Sequence, residues 1–310
     1  MANSRPPLVL IAGPTASGKS ALGTALAERT GGVIVNADAS QLYADIPILS
    51  AAPEPSERRR ADHRLFGTRD GALPCSAAAY AELARAEIEA IHRDGRLPIL
   101  VGGTGLYIRT LLDGIAPVPP IDPAIRDQVR GASTAENHAL LVGLDPVSAA
   151  RLAPGDSARI ARALEVVRST GRTIGQWQAR REGGIAERVA LRPIILLPPR
   201  DWLVERIEAR FAAMIAAGAL DEVRALAARH LDPSLPVMRA IGVRELLALD
   251  REGGTREAAI AAAVQATRRY AKRQYTWFAH QPPADWPRFD TPLDSPGAMG
   301  RALALLDPAG

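Results

Sequence analysis

The sequence predicts an α/β protein with a P-loop: a parallel sheet flanked by helices, an all-helical insertion and a helical C-terminal region. Three observations support this fold class. Short aliphatic runs alternate with longer stretches of helical periodicity. The turn after the first such run matches the phosphate-loop pattern G-x-x-x-x-G-K-[ST]. A proline-rich stretch followed by helical periodicity without a convincing strand interrupts the alternation at about residues 116–186.

The first strand, turn and helix read LVLIAGPTASGKSALGTAL, from Leu8 to Leu26. In such a loop, backbone N–H groups surround a phosphate at the helix N-terminus, and the serine hydroxyl ligates Mg²⁺. Only two of the 38 basic residues are lysines, Lys19 and Lys272, so a lysine in the loop indicates a need for a compact ammonium. The predicted phosphate ligands are Gly13, Pro14, Thr15, Ala16, Ser17, Gly18, Lys19 and Ser20, with Ser20 also the metal ligand.

Further buried strands separated by helical stretches predict the rest of the sheet. Ligands of such folds bind where parallel strands end, and Gly13, Asp38 and Thr104 all follow strands. We therefore expect these three residues to converge on one cleft. The further strands lie in Gly31–Asp38, at the start of Arg96–Leu112, and in Leu191–Pro199.

Composition restricts the class of protein. The 310 residues are 47% hydrophobic and 23% charged, which is typical of a globular chain, and the apolar run Leu8–Ala12 is too short to span a membrane. A single cysteine, Cys75, excludes an internal disulfide framework and a cysteine-rich zinc site and suits the cytoplasm. The net charge of +4 permits a polyanionic partner without requiring one.

We predict two domains. Residues 1–115 with 187–310 form the P-loop core and its C-terminal helices, and residues 116–186 form a helical insertion over the cleft. Within the insertion, Asp156 is the expected N-cap of a helix over Ser157–Ser169, which Gly171 ends.

The last long helix carries a basic edge at positions i, i+1, i+4 and i+5. No acid lies between Ala258 and Ala284, which favours a footprint for nucleic-acid phosphates over a solvated helix face. Aromatic residues among these charges are either base-stacking groups or core residues at helical spacing. The cations are Arg268, Arg269, Lys272 and Arg273, and the aromatics are Tyr270, Tyr275, Trp277 and Phe278.

The residues alone leave the identity of the bound phosphate open. A nucleotide hydrolase of this fold usually places an acid at the end of a hydrophobic strand, and only Asp38 is available. Asp38 is a metal-shell acid, a general base beside a phosphorylated substrate, or a residue that only caps a turn.

Seven motifs together resemble the tRNA dimethylallyltransferase family, also called the tRNA isopentenyltransferase or IPP transferase family, over about residues 8–280. The combination of the phosphate loop with G-G-T-G-L-Y and A-K-R-Q-x-T-W is highly specific. The motifs are GPTASGKS, NADASQLY (Asn36–Tyr43), LPILVGGTGLYI (Leu97–Ile108), DSARIARALEV (Asp156–Val166), RIEARFAAMIAAG (Arg206–Gly218), MRAIGVRE (Met238–Glu245) and TRRYAKRQYTWF (Thr267–Phe278).

The resemblance implies that the loop binds the diphosphate of dimethylallyl diphosphate, with Mg²⁺ as cofactor. It implies that adenosine 37 of a tRNA, beside the anticodon, flips out of the anticodon stem-loop into the cleft. By family position Asp38 takes a proton from N6 as this nitrogen attacks C1, while Thr104 and Arg210 stabilise the departing diphosphate. We expect a monomeric, cytoplasmic enzyme that does not act at a membrane.

Residue-by-residue matching also predicts the tRNA contacts. Three departures from the family pattern put the grip on tRNA in doubt: Ala39 lacks a hydroxyl, Ala52 lacks a cation, and Val243 replaces a tyrosine. The predicted contacts are Asp38, Ala39, Ser40, Gln41, Thr104, Arg126, Ala158, Arg159, Ile160, Ala161, Arg162, Arg239, Ala240, Ile241, Gly242, Val243, Arg244, Lys272, Arg273, Gln274, Tyr275, Thr276, Trp277, Phe278 and Ala279.

Three other functions are compatible with a P-loop. A small-molecule or nucleoside kinase would bind ATP in the same loop, and a nucleotide-gated RNA-binding protein would make no bond. An adenylate prenyltransferase would modify a free nucleotide, but a mononucleotide needs no extended basic edge.

Overall fold

The computed structural model describes residues 5–252 and 254–306. The chain divides into two compact units. The first unit comprises Met1–Leu111 and Ile185–Gly310, and the second comprises Leu112–Gly184. Among the described residues, no helix is both long and apolar enough to cross a membrane.

The first unit contains a parallel sheet in the order β3-β2-β4-β1-β5-β6. The central strands are almost wholly buried because helices cover both faces, as expected for parallel strands built from aliphatic residues. The predicted fold class is confirmed. The strands are β1 (Pro7–Ala12), β2 (Val33–Asn36), β3 (Asp62–Arg64), β4 (Pro98–Gly102), β5 (Ala190–Leu196) and β6 (Arg288–Phe289).

The sequence pattern identified four of these strands and missed the two at the sheet edges. β3 has three polar residues and β6 has two residues, so neither contains the aliphatic run that marks a buried strand. Backbone pairing with neighbours distant in the chain defines them: Val35 pairs with Arg64, and Leu196 with Phe289.

The helices of the first unit pack in two main groups. In one group, α1 and α14 pack against the sheet. In the other, the four helices α10, α11, α12 and α13 pack around an apolar cluster that includes Phe211, Val223 and Leu246. The helices are α1 (Lys19–Thr30), α2 (Pro55–Arg60), α3 (Ala77–Arg93), α4 (Gly105–Asp113, which crosses into the second unit), α10 (Arg200–Ala216), α11 (Ala219–Ala228), α12 (Val243–Glu252), α13 (Arg256–His280) and α14 (Ala298–Ala304).

The described residues of the second unit form helices and no strand. A single isolated β-bridge joins Ile115 and Glu182. The Asp156 side chain accepts the Arg159 N–H, and Gly171 ends the same helix with a positive φ of 69°, so both predicted caps are confirmed. The helices are α5 (Pro123–Gly131), α6 (Thr134–Leu144), α7 (Pro146–Arg151), α8 (Ser157–Thr170) and α9 (Ile174–Gln178).

Strand register sets the position of three loops. Ala12 of β1 pairs with Gly102 of β4, and Asn36 of β2 pairs with Val101. The three strands therefore end side by side at one edge of the sheet, and the loops that follow them are neighbours. These loops begin at Gly13, Ala37 and Gly103.

Candidate active site

The phosphate loop is a tight turn between β1 and α1. Position 13 requires glycine, since a Cβ there would lie 2.4 Å from the Leu196 carbonyl oxygen. Ala16 adopts a positive φ of 65°, which is unfavourable for alanine, and Gly18 begins α1 with φ 94°. Such left-handed residues make the compact concave turn that binds anions through backbone N–H groups. Ser17 Oγ is buried and has no hydrogen-bond partner among the described residues.

Lys19 lies at the end of this loop, and its surroundings alter its hydrogen bonding and its pKa. Its Nζ donates to the Pro14 carbonyl oxygen at 2.6 Å. Burial lowers the pKa of Lys19 to about 7, Asp38 opposes this shift, and Arg210 adds to it. A bound diphosphate would supply negative charge and restore the ammonium.

Asp38 lies in a fixed turn after β2. Asn36 holds the backbone of this turn, since its Oδ1 accepts the Asp38 N–H at 2.7 Å and its Nδ2 donates to the Asp38 carbonyl at 2.9 Å. One carboxylate oxygen of Asp38 accepts from both the N–H and the hydroxyl of Ser40. The sequence analysis missed Asn36, although it lies two residues before the predicted base.

Thr104 joins the Asp38 turn to α13. Its Oγ1 accepts the Ala39 N–H at 3.0 Å, and its own N–H donates to the Ala37 carbonyl. Its hydroxyl also hydrogen-bonds with the phenol of Tyr270, whose pKa is raised by burial and by the charge of Asp38. Thr104 is therefore held beside Asp38, as the prediction of a shared cleft required.

Two arginines of α10 brace the phosphate loop. Arg210 donates to the Thr15 hydroxyl, and Arg206 donates from Nε to the Ala16 carbonyl at 3.2 Å. Burial lowers the pKa of Arg210, Asp38 raises it, and Arg206 lowers it. The sequence analysis named Arg210 and missed Arg206, although their i, i+4 spacing places both on one face of a helix.

Gln274 of α13 connects the loops after β1 and β4. Its Oε1 accepts the Thr15 N–H at 2.8 Å and its Nε2 donates to the Gly103 carbonyl at 2.8 Å. Three residues later the ring of Trp277 covers Gly105, where a Cβ would lie 2.6 Å from the ring. The last long helix is therefore built into the site.

Two cavities adjoin at Asp38. The larger, of about 960 Å³, is lined by Lys19, Ser20 and Arg206. The smaller, of about 240 Å³, is lined mainly by apolar side chains. Their shared wall consists of Thr15, Asp38, Ser50, Arg210 and Met214. The two cavities therefore have a carboxylate, a guanidinium and hydroxyl groups between them.

The predicted tRNA contacts fall into two groups. Several side chains lie at the surface or line the smaller cavity, but five residues are buried and cannot contact RNA through exposed side chains. Their burial has a common cause, since each packs inside its helical layer or against the loops of the site. The exposed or partly exposed residues are Asp38, Ala39, Ser40, Gln41, Thr104, Arg126, Ala158, Arg159, Ala161, Arg162, Arg239, Ala240, Ile241, Arg244, Lys272, Arg273, Tyr275, Thr276, Trp277 and Ala279; the buried ones are Ile160, Gly242, Val243, Gln274 and Phe278.

The basic edge of α13 has three exposed cations, fewer than the four that the sequence suggested. Arg268 pairs with Glu208 of α10, an acid that no inspection of α13 alone could reveal. Arg269, Lys272 and Arg273 are exposed, and the Arg273 guanidinium lies 5.6 Å from the ring centre of Tyr270. Phe278 is buried, and Tyr275 packs against a separate cluster that includes Leu203, Ile207 and Ala271 of α10 and α13.

The parallel sheet, the phosphate loop and the carboxylate between two cavities are the features of a P-loop enzyme. Residues 41–281 match the family model described as IPP transferase. The chain belongs to this family, the tRNA dimethylallyltransferases.

Relatives and solved structures agree with this assignment. A tRNA dimethylallyltransferase of Sphingopyxis alaskensis is 61% identical over 91% of this chain and 92% of its own length. That of Erythrobacter litoralis is 58% identical over 93% and 92%. The crystal structure of a tRNA isopentenylpyrophosphate transferase from Bacillus halodurans is 31% identical, with a TM-score of 0.70 over 96% of this chain and 94% of that one. A eukaryotic dimethylallyltransferase acting on tRNA has 26% identity and a TM-score of 0.81 over 97% of this chain and 78% of that one.

Proposed function

We propose that this protein transfers the dimethylallyl group of dimethylallyl diphosphate to N6 of adenosine 37 in tRNA, beside the anticodon. The observation that carries the proposal is the position of Asp38 and Arg210 in the wall between the two cavities. Family membership supports dimethylallyl transfer to tRNA, because the similar proteins are named for that activity.

The diphosphate occupies the larger cavity, within reach of Lys19 and the phosphate loop. The flipped adenine enters by the smaller cavity, since Arg239, Ala240 and Ile241, all predicted tRNA contacts, line that side. The two reactants then meet at Asp38, with water excluded by the apolar side chains around them.

The reaction is a substitution at C1 of the dimethylallyl group. The N6 nitrogen forms a bond to C1 as the bond from C1 to the diphosphate oxygen breaks. The Asp38 carboxylate takes the N6 proton, and the diphosphate leaves with the electron pair of the broken bond. Negative charge on the departing diphosphate is stabilised by Lys19 and Arg210 more strongly in the transition state than in the ground state. Thr104 holds the Asp38 turn through the Ala39 N–H, and its hydroxyl also stabilises the departing diphosphate.

Magnesium fits the donor set of the phosphate loop. Ser20 lines the larger cavity with its hydroxyl at the start of α1, and Mg²⁺ is commonly held by one or two protein oxygens together with substrate phosphates and water. No group of three or more acidic, histidine or cysteine side chains among the described residues could hold a metal without the substrate. When bound, the ion neutralises charge on the diphosphate.

We place the reaction in the cytoplasm and in a monomer, as the resemblance to the family implies.

One assay tests the function. Purified protein, Mg²⁺ and radiolabelled dimethylallyl diphosphate are incubated with unmodified tRNA, with the same tRNA carrying guanosine at position 37, or with AMP. We expect label only in the first tRNA. Label in AMP alone would indicate an adenylate prenyltransferase, and ATP consumption without prenyl transfer would indicate a kinase; either result contradicts the proposal.

A further inference from the structure

The second unit contains a buried carboxylate between two arginines. The side chain of Glu165 on α8 is 3% exposed. Its Oε1 accepts a hydrogen bond from Arg130 Nε at 3.1 Å, and its Oε2 lies 3.9 Å from Arg162 Nη1. Arg130 belongs to α5, which packs against α8. One buried charge therefore connects the two helices.

A third arginine belongs to the same group. Arg126 lies one turn before Arg130 on the same face of α5, and its Nε is buried without a hydrogen-bond partner among the described residues. Burial lowers the pKa of Arg162, Glu165 opposes this, and the charges of Arg126 and Arg130 lower it further, so all three cations are close. Three guanidinium groups and one carboxylate leave a surplus of two positive charges.

Glu165 offsets only part of the positive charge in this arrangement. Like charges at i, i+4 repel each other, and a buried carboxylate requires partners to offset its desolvation. Glu165 engages only part of each guanidinium, since the side chains of Arg130 and Arg162 remain 66% and 44% exposed. A guanidinium has five N–H donors in a rigid fork, so most donors of both residues face solvent.

We propose that Glu165 is a positioning residue that aligns Arg130 and Arg162 as a clamp for a phosphate of the tRNA backbone, and that Arg130 is a contact in this clamp. The inference rests on the proposed function and extends it. The sequence analysis named Arg126 and Arg162 but neither Arg130 nor Glu165. A tRNA phosphate is the occupant argued here because the cations come from two helices and keep their exposed donors at the surface.

Two explanations of the role of Glu165 predict opposite effects of Glu165→Gln on tRNA affinity. If Glu165 only reduces the positive field, Glu165→Gln adds one net positive charge and strengthens tRNA binding, with a steeper salt dependence. If Glu165 positions the arginines, the same change weakens binding despite the added charge, because the guanidinium groups repel each other and lose their alignment. The sign of the change therefore decides between them.

The experiment measures tRNA affinity as a function of salt concentration for the full chain and five variants. We expect Glu165→Gln to weaken binding about 3- to 10-fold and to lower the slope of log K against log salt by about 0.7–0.9, the contribution of one phosphate contact. Arg130→Gln, whose side chain is 66% exposed, should lower the slope equally. Because Glu165 acts through Arg130 and Arg162, the loss of affinity in the double variant should be smaller than the product of the two single losses.

Two further variants serve as controls. Glu165→Asp keeps the charge and should retain part of the affinity, whereas Asp127→Asn removes an exposed acid from α5 and should leave binding equal or slightly tighter. Thermal unfolding identifies any variant that fails to fold; the Arg130→Gln result then decides alone. Unchanged or steeper slopes in Glu165→Gln, or an unchanged slope in Arg130→Gln, would overturn the inference.

The failure of this inference is distinguishable from failure of the proposed function. If wild-type protein prenylates tRNA but Glu165→Gln binds tRNA more tightly with a steeper salt dependence, the proposed clamp is wrong and the proposed function stands. Inorganic phosphate is added at constant ionic strength as a competitor. We expect no competition beyond that of chloride, and specific displacement of tRNA by phosphate would make this a free-anion site and overturn the assignment.

Discussion

Gln274 accepts a hydrogen bond from the Thr15 backbone N–H at 2.8 Å, although 259 residues separate the two in the chain. The same amide donates to the Gly103 carbonyl at 2.8 Å and is only 5% exposed. One side chain of α13 therefore fixes the phosphate loop against the turn that carries Thr104. The helix predicted to contact tRNA therefore also sets the geometry of the phosphate loop.

Replacing this amide should damage both stability and diphosphate binding. Gln274→Leu leaves the Thr15 N–H and the Gly103 carbonyl without partners, so the free energy of unfolding should fall by about 1–3 kcal/mol. The loosened loop should bind dimethylallyl diphosphate about 10-fold more weakly, a cost of about 1.4 kcal/mol. Denaturant unfolding and calorimetric titration measure the two effects. Gln265→Leu, at an exposed position of α13, is the matched control and should change neither.

Diphosphate binding should depend on pH through Lys19. The pKa of Lys19 is lowered to about 7 in the free protein, and the bound diphosphate raises it. Between these two values binding takes up a proton, so affinity should fall by up to about tenfold per pH unit above pH 7 and level off below it. Titrations in buffers of different ionisation enthalpy measure the proton uptake.

Lys19→Arg stays charged over this range and should abolish the proton uptake. It should nevertheless bind poorly, because the planar guanidinium does not fit the position of a compact ammonium. Wild-type binding that is independent of pH between 7 and 9 would contradict the low pKa of Lys19.

Removing the proton acceptor should slow the chemical step without weakening binding. Asp38→Asn keeps the shape of the turn, since an amide oxygen still accepts the hydrogen bonds from Ser40. We expect kcat to fall by roughly 10²–10⁴. Single-turnover rates at saturating tRNA measure it, and Ser76→Ala, at an exposed helix cap that lines neither cavity, is the control. A normal rate combined with lost tRNA affinity would assign Asp38 to binding.

The charges of α13 should differ in their effect on tRNA binding. Lys272 is exposed, so Lys272→Ala should lower the slope of log K against log salt by about 0.7–0.9. Arg268 pairs with Glu208, so Arg268→Ala should lower it by less. Filter-binding titrations at several salt concentrations measure both slopes. Equal slopes for the two variants would show that the pairing in the structure does not decide which charges meet RNA.

Two glycines offer a matched test of packing in the first unit. A Cβ at Gly102 would lie 2.2 Å from the Ala37 backbone, so Gly102→Ala should force β4 and the Asp38 loop apart and lower the free energy of unfolding by about 1–3 kcal/mol. Nothing lies within 4 Å of a Cβ at Gly300 in α14, where alanine should stabilise by about 0.5–1 kcal/mol. Thermal unfolding compares them; a neutral Gly102→Ala would contradict the close approach.

The sequence alone determined the elements that depend on local chemistry. The phosphate loop, the buried strands around it and the caps of α8 follow from glycine spacing, aliphatic runs and capping residues, which act over a few positions. The motif set also identified the family. Asp38 and Thr104 were expected to meet because both follow parallel strands, and the ends of such strands share one edge of the sheet.

Only the tertiary structure decided which groups meet across long distances in the chain. The burial of Gln274 between two loops, the pairing of Arg268 with Glu208 and the bracing of the phosphate loop by Arg206 depend on how α10 and α13 pack. The short edge strands also exist only through their partners. A side chain's neighbours fix its burial, its hydrogen bonds and its free charge, and helical spacing alone specifies none of these.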